Sequence, residues 1–214
     1  MKKILNISCF SEILLSISIP LLIIILAVKL TLNFKAIYYY SIVDLDLPSS
    51  SNLSVSEIKK NYNYIVDYIQ SPNYEFKLPT LPYSKEGKIH FEEVRNIFYL
   101  FNKLAYILFF AIILLFILNL KNHRYTFLKC SSIILIIFPI LILIPFAINF
   151  DKSFTLFHKL AFNNDYWLLD PNLDPIINIM PQKFFFNCSI SIVMILILNS
   201  YILYRIYRKC VYLK

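Results

Sequence analysis

Four long apolar runs divide the chain, at residues 13–32, 98–120, 127–148 and 184–204. Crossing a bilayer core about 30 Å thick as a helix takes about 20 mostly apolar residues in a row. All four runs meet that length. In hydrocarbon the backbone must satisfy its own hydrogen bonds, so helix is the form open to each run. The pattern predicts an all-α membrane protein with four transmembrane helices. Two polar stretches remain, 34–97 and 149–183, expected to form a small, partly helical extracytoplasmic region built from two loops. The whole chain, 1–214, reads as a single integral membrane domain. The first run follows Met1-Lys2-Lys3, as the apolar stretch of a signal peptide would. It runs on past the usual length and no small-x-small cleavage site follows, so a retained anchor is expected.

Within the first loop, Tyr38, Tyr39 and Tyr40 form an aromatic run next to a span, the usual mark of an interfacial belt. Ser54-x-x-Glu57 is a capping box. After it, Val55, Ile58, Tyr62, Ile65 and Ile69 recur at three and four residues and share one helix face, opposite Lys59, Lys60, Asn63 and Asp67. This predicts an amphipathic helix ending near Ser71-Pro72. Two readings of it stand: a helix lying in the outer interface or roofing the bundle, and a plain scaffold helix. Prolines keep 78–82 extended. From about His90 a helix runs unbroken into the second span, with Gly87 as a point of interruption. Glu93 and Val94 follow His90 by three and four residues, on its face, and Glu86 is within reach of the imidazole. In the second loop, Asp174-Pro175 reads as an N-cap with proline at the first helical position. A short helix 175–180 is expected there, with Pro181 opening the fourth span.

Composition agrees with the pattern. Hydrophobic residues make up 58% of the chain and charged residues only 16%, against about 25% charged in soluble domains. The net charge of +8 comes from bases gathered on one side of the four-span layout: Lys2, Lys3, Lys121, Arg124, Lys129, Arg205, Arg208, Lys209 and Lys214. Glu12 is the only acid near that side. Basic short segments stay cytoplasmic, so both termini are expected inside and both loops outside. Topology accounts for the charge, and no nucleic-acid partner is implied. Lys29, near the outer end of the first span, is expected to snorkel to the headgroups. The four cysteines lie in or beside the spans and suggest no disulfide framework. A single glycine excludes a Walker loop or a dinucleotide fingerprint.

Of the three histidines, His123 belongs to the basic inner turn. His90 precedes the second span and His158 follows the third. Those spans are joined by a short turn, so their outer ends are neighbours. Either the two histidines share a proton-transfer site, a task that suits imidazole near neutral pH, or both are ordinary interfacial side chains.

At these residues the sequence resembles the bacterial lipoprotein intramolecular transacylase family. The likeness is carried by Phe157-His158, then Trp167-Leu168-Leu169-Asp170-Pro171, Asp174, Ile176-Ile177, and Pro181 before Phe184-Phe185. His90-Phe91-x-Glu93-Val94-Arg95 is a second match. Tyr68-Ile69 and the 78–82 segment also fit, so the resemblance spans nearly the whole chain. Two positions depart from the pattern: Asn163-Asn164-Asp165 replaces a Pro-Gly-like turn, and Gln182 stands where an acid is expected.

The resemblance implies an acyltransferase. The sn-2 acyl chain of a diacylglyceryl-cysteine lipoprotein would move to the cysteine α-amine, giving an N-acylated lyso-form product. One of His90 and His158 is then the base and the other an acid or oxyanion stabiliser. Glu93, Arg95, Trp167, Asp170 and Asp174 are candidate substrate-binding or supporting residues, with Asp170 and Asp174 also readable as caps. No cofactor or metal is expected. The expected partners are the lipoprotein substrate and membrane lipid, and nothing in the pattern sets an oligomeric state. Two alternatives are a metal-dependent membrane hydrolase, with both outer histidines and Glu86, Glu93 or Asp170 as ligands, and a non-catalytic membrane assembly factor. The spans carry almost no ionisable residues in their middles, which argues against a transporter.

Overall fold

The computed structural model describes residues 2–73, 75–121 and 124–212. His123 of the basic inner turn and Lys214 of the basic C-terminal cluster lie outside the described residues. Nine helices are described: α1 (Lys2–Asn33), α2 (Ala36–Asp44), α3 (Leu47–Ser51), α4 (Val55–Gln70), α5 (Lys85–Lys121), α6 (Thr126–Ile148), α7 (Phe150–Ala161), α8 (Ile176–Ile179) and α9 (Gln182–Tyr212). Among the described residues there is no strand. Among those residues, four stretches are long and apolar enough to cross a membrane: Cys9–Asn33, Lys85–Ile117, Thr126–Ile148 and Gln182–Tyr212. The all-helical expectation therefore holds, and each apolar run falls inside one long helix.

The chain forms two compact units. The first comprises Met1–Lys29, Asn102–Ile144 and Ser191–Lys214. Its side chains meet in two small apolar clusters, one on Leu15, Phe127 and Leu128, the other on Ala27, Leu135 and Leu196. Small polar groups stitch the helices between them. Ser200 Oγ donates to the Ser132 carbonyl at 2.7 Å, and Asn119 Nδ2 to Ser11 Oγ at 3.0 Å. Such bonds suit an apolar surrounding, where an unpaired polar group is costly. Glu12 pairs with Arg124 at 3.5 Å. The Lys29 ammonium donates to the Asn102 side chain.

The second unit comprises Leu30–Phe101 and Pro145–Ile190. It has its own core, with Tyr38, Ile42, Leu47, Ile58, Tyr62, Ile65, Val66, Tyr68, Ile176 and Ile179 buried together. Helix α4 begins at the expected capping box, with Ser54 and Glu57 exchanging both bonds. Ile58, Tyr62, Ile65 and Ile69 are buried as the spacing predicts, while Val55 is exposed. Because that face packs into this protein core, α4 is a scaffold helix. Tyr38 corrects the interfacial-belt reading. It is fully buried, stacks on Tyr62 at 3.5 Å and donates its hydroxyl to the Ile179 carbonyl at 2.7 Å. Burial raises the hydroxyl pKa of Tyr38 and Tyr62 well above the usual tyrosine range, so both stay neutral hydrogen-bonding groups. Only Tyr40 of the run is largely exposed.

Helix α5 starts at Lys85, earlier than expected, and runs through Gly87 without a break. With 37 residues it is about 55 Å long at 1.5 Å per residue, more than a bilayer core requires. Helix α7 was not anticipated. Its N-cap is Asn149, whose side chain accepts from the Lys152 backbone N–H at 2.9 Å.

Candidate active site

His90 lies on the second turn of α5 and His158 on the last turn of α7. The structure brings their rings to 6.1 Å, centroid to centroid. Both residues belong to the second unit, which builds the pair from segments far apart in sequence.

Burial lowers the pKa of both imidazoles, and a hydrogen bond fixes the tautomer of one. His158 Nδ1 lies 2.8 Å from the Phe154 carbonyl, one turn back on the same helix. A carbonyl only accepts, so Nδ1 carries the proton, and in the neutral ring the Nε2 lone pair is free. Aromatic rings surround it: Phe154 at 4.1 Å, Trp167 at 4.9 Å, Phe157 at 5.3 Å and Phe162 at 5.8 Å. Desolvation by these neighbours pulls the His158 pKa below the usual histidine value, and the Phe154 bond only partly offsets it. At neutral pH His158 is thus an unprotonated base with a defined tautomer. His90 is 8% exposed and packs against Phe162 at 5.0 Å. Its Nδ1 is buried with no hydrogen-bond partner.

Glu93 follows His90 by one turn of α5. Its Oε1 accepts from Asn164 Nδ2 at 2.7 Å, and its Oε2 is buried without a partner. Trp167 is buried, lies beside His158, and donates its indole N–H to the Asn164 carbonyl at 3.1 Å. Asn164 Oδ1 also accepts from the Tyr166 backbone N–H at 3.0 Å. Asn164 therefore joins the α5 carboxylate to the turn that holds the tryptophan. Sequence reading took 163–165 as a departure from the family turn and gave Asn164 no role. An asparagine two residues before a turn and three before a tryptophan was the available signal, since Asx turns close in this way.

The remaining candidates are dispersed. The Arg95 guanidinium lies over the Tyr68 ring, 4.5 Å from its centroid. Asp170 is exposed and organises its own turn, accepting from the Asn172 backbone N–H at 2.9 Å. Asp174 is buried, but its side chain does not cap the helix that follows it, contrary to expectation. Oδ1 accepts from the Ser84 N–H at 2.8 Å and Oδ2 from the Ser84 hydroxyl at 2.7 Å. Ser84 Oγ in turn accepts from the Gly87 N–H at 2.8 Å. Asp174 is therefore a non-local cap on α5, whose first turns carry His90. A carboxylate is favoured at that end by the unpaired backbone N–H groups and the helix dipole. Helix α8 is shorter than the expected 175–180, and its turn is closed by the Asp174 carbonyl, which accepts from the Ile177 N–H at 3.1 Å. Glu86 is exposed. Among the described residues no group of three His, Cys, Asp or Glu side chains converges as metal ligands would.

A neutral, oriented imidazole beside a second imidazole, both lined by aromatic rings, can take a proton from one group and support another. No serine or cysteine nucleophile is required for that.

Comparison with known proteins points the same way. The family model of the lipoprotein intramolecular transacylase Lit matches residues 13–185. Among solved structures, the chain is similar to the in meso structure of the membrane integral lipoprotein intramolecular transacylase Lit from Bacillus cereus. Identity is 38%, 96% of each chain is covered and the TM-score is 0.91. Structures of that protein with a histidine mutated to arginine or to alanine match at 38% identity and a TM-score of 0.86, over 96% of this chain and 92% and 94% of theirs. No curated protein sequence matches the chain.

Proposed function

The chain belongs to the lipoprotein intramolecular transacylase family, a multi-pass membrane acyltransferase, and on that footing we propose the chemistry and the residues that carry it. The substrate is a lipoprotein whose N-terminal cysteine bears a diacylglyceryl thioether. The cysteine α-amine attacks the carbonyl carbon of the sn-2 ester. A nitrogen–carbon bond forms, the bond from that carbon to the glycerol oxygen breaks, and the amine proton ends on the glycerol oxygen. The product is an N-acylated lyso-form lipoprotein of unchanged mass.

The observation that carries this reading is the His158 tautomer fixed by the Phe154 carbonyl, with the second imidazole 6.1 Å away. His158 Nε2 takes the amine proton. His90 supports the developing charge and the departing glycerol oxygen. Because amine and ester belong to one molecule, orientation alone supplies several kcal/mol, about 7–11 in well-oriented intramolecular models. A free α-amine has a pKa of about 7.7–8.0, so an imidazole is a base of suitable strength.

Membrane lipid surrounds the spans and holds the substrate's chains. The bases Arg124, Lys129, Arg205, Arg208 and Lys209 favour a cytoplasmic side for both termini, which leaves His90 and His158 to the extracytoplasmic face. In two variants that each keep a single cysteine, an impermeant thiol reagent should label Ser49→Cys in intact cells and leave the native Cys210 untouched. The reverse pattern would refute the orientation.

The reaction is tested by expression in a host without its own N-acylating enzyme, followed by mass spectrometry of a reporter lipoprotein. The expected N-terminal lipopeptide has unchanged mass, two chains, and one of them amide-linked. A third chain means an intermolecular transferase, and a lost chain means a hydrolase.

A further inference from the structure

Two buried polar atoms on one face of α5 have no partner: His90 Nδ1 and, one turn later, Glu93 Oε2. Buried polar atoms without a hydrogen bond are uncommon in native proteins, and each calls for an explanation. The Glu93 carboxyl is held in place, because its other oxygen accepts from Asn164 Nδ2 at 2.7 Å. Asn164 is itself pinned by the Tyr166 N–H and the Trp167 indole, and the indole lies 4.9 Å from the His158 ring. A fixed acceptor is thus presented in the second unit, on the helix that carries His90.

We propose that Glu93, positioned by Asn164, is the docking point for the substrate's α-ammonium group. The inference rests on the transacylase reading and adds to it how the reacting nitrogen is recognised. An ammonium brings three N–H donors and a positive charge, which a buried carboxylate oxygen lacks and a diacylglyceryl thioether cannot offer. One N–H binds Glu93 Oε2 while a second proton passes to His158 Nε2, leaving the amine as nucleophile; the nitrogen loses one more proton as the amide forms, so that one of the two protons ends on the glycerol oxygen and the other is released to solvent. After transfer the nitrogen is an uncharged amide, the ion pair is lost, and the product binds less tightly. The same anchor disfavours a cysteine whose nitrogen is still in a peptide bond, so a peptidase reaction that frees the α-amine must come first.

The test uses two dialkyl ether lipopeptides, which have no ester to transfer. One carries a free α-amine, and in the other a hydrogen replaces the amine. Binding is measured to the purified full-length protein in detergent. Wild-type protein should bind the free-amine ligand about tenfold to a hundredfold more tightly, the range of one charge-assisted hydrogen bond. Glu93→Gln should abolish that ratio while leaving the desamino ligand's affinity unchanged. A merely structural role for Glu93 would weaken both ligands alike and overturn the proposal. Equal binding of the two ligands by wild-type protein would overturn it without any variant, while leaving the transacylase reading in place. If neither ligand bound, both would fall.

Discussion

A β-carbon built on Gly87 would lie 2.2 Å from Asp174 Oδ1. The single glycine of the chain thus makes room for the carboxylate that caps the helix bearing His90. Gly87 is helical, so the requirement is one of space, not of an unusual backbone angle. Gly87→Ala forces the cap to move. We expect a loss of about 1–3 kcal/mol, typical of overpacking, seen as a lower Tm in detergent. Asp174→Ala should cost a similar amount, because the Ser84 N–H and hydroxyl lose their acceptor. In the Asp174→Ala background, Gly87→Ala should be much milder, since the clashing carboxylate is gone. Strictly additive losses would show that the two residues do not meet.

The histidine pair predicts a specific mutational pattern. His90→Asn and His158→Asn should each lower turnover of a reporter lipoprotein by about 10²–10⁴-fold, the range of general acid–base catalysis. The double variant should be little worse than either single one, because residues acting as a unit are not additive. Full activity in His158→Asn, inserted at normal levels, would remove the base from the scheme.

The pH response of His158 follows from its surroundings. Desolvation depresses its pKa in the folded protein, so the folded state binds fewer protons here than the unfolded chain. The resulting stability is fully present above the unfolded value of about 6.5 and is lost as pH falls through the lower folded value. Nuclear magnetic resonance of ring-labelled histidine should place the His158 midpoint below about 6.5, with Nδ1 protonated in the neutral ring. A midpoint above that value, or a neutral ring protonated at Nε2, would contradict the assigned tautomer and role.

Much of this was legible in the sequence because its causes are local. The apolar runs mark the long helices since hydrocarbon leaves the backbone no other partner. The Ser54–Glu57 box was readable because both partners lie within one turn. The approach of His90 and His158 followed from two neighbouring spans. What escaped depended on contacts between distant segments. Asp174 looked like the cap of its own helix, yet it caps one that begins 89 residues earlier. Tyr38 looked interfacial because nothing near it in sequence shows that Tyr62, Phe184 and Ile179 close over it. Helix α7 was within reach: Asn149 is a good N-cap, and Phe150, Phe154 and Phe157 recur at helical spacing.

In the proposed reaction each substrate molecule acylates itself at the histidine pair. A two-substrate crossover experiment tests it most directly. One diacylglyceryl lipopeptide carries a heavy-isotope peptide and light chains, the other a light peptide and heavy chains. After incubation of the mixture with the purified protein, the N-terminal fragments are weighed. Every N-acylated product should keep its own chain, heavy peptide with light acyl and light peptide with heavy acyl. Products in which a peptide has acquired the other molecule's chain would contradict it.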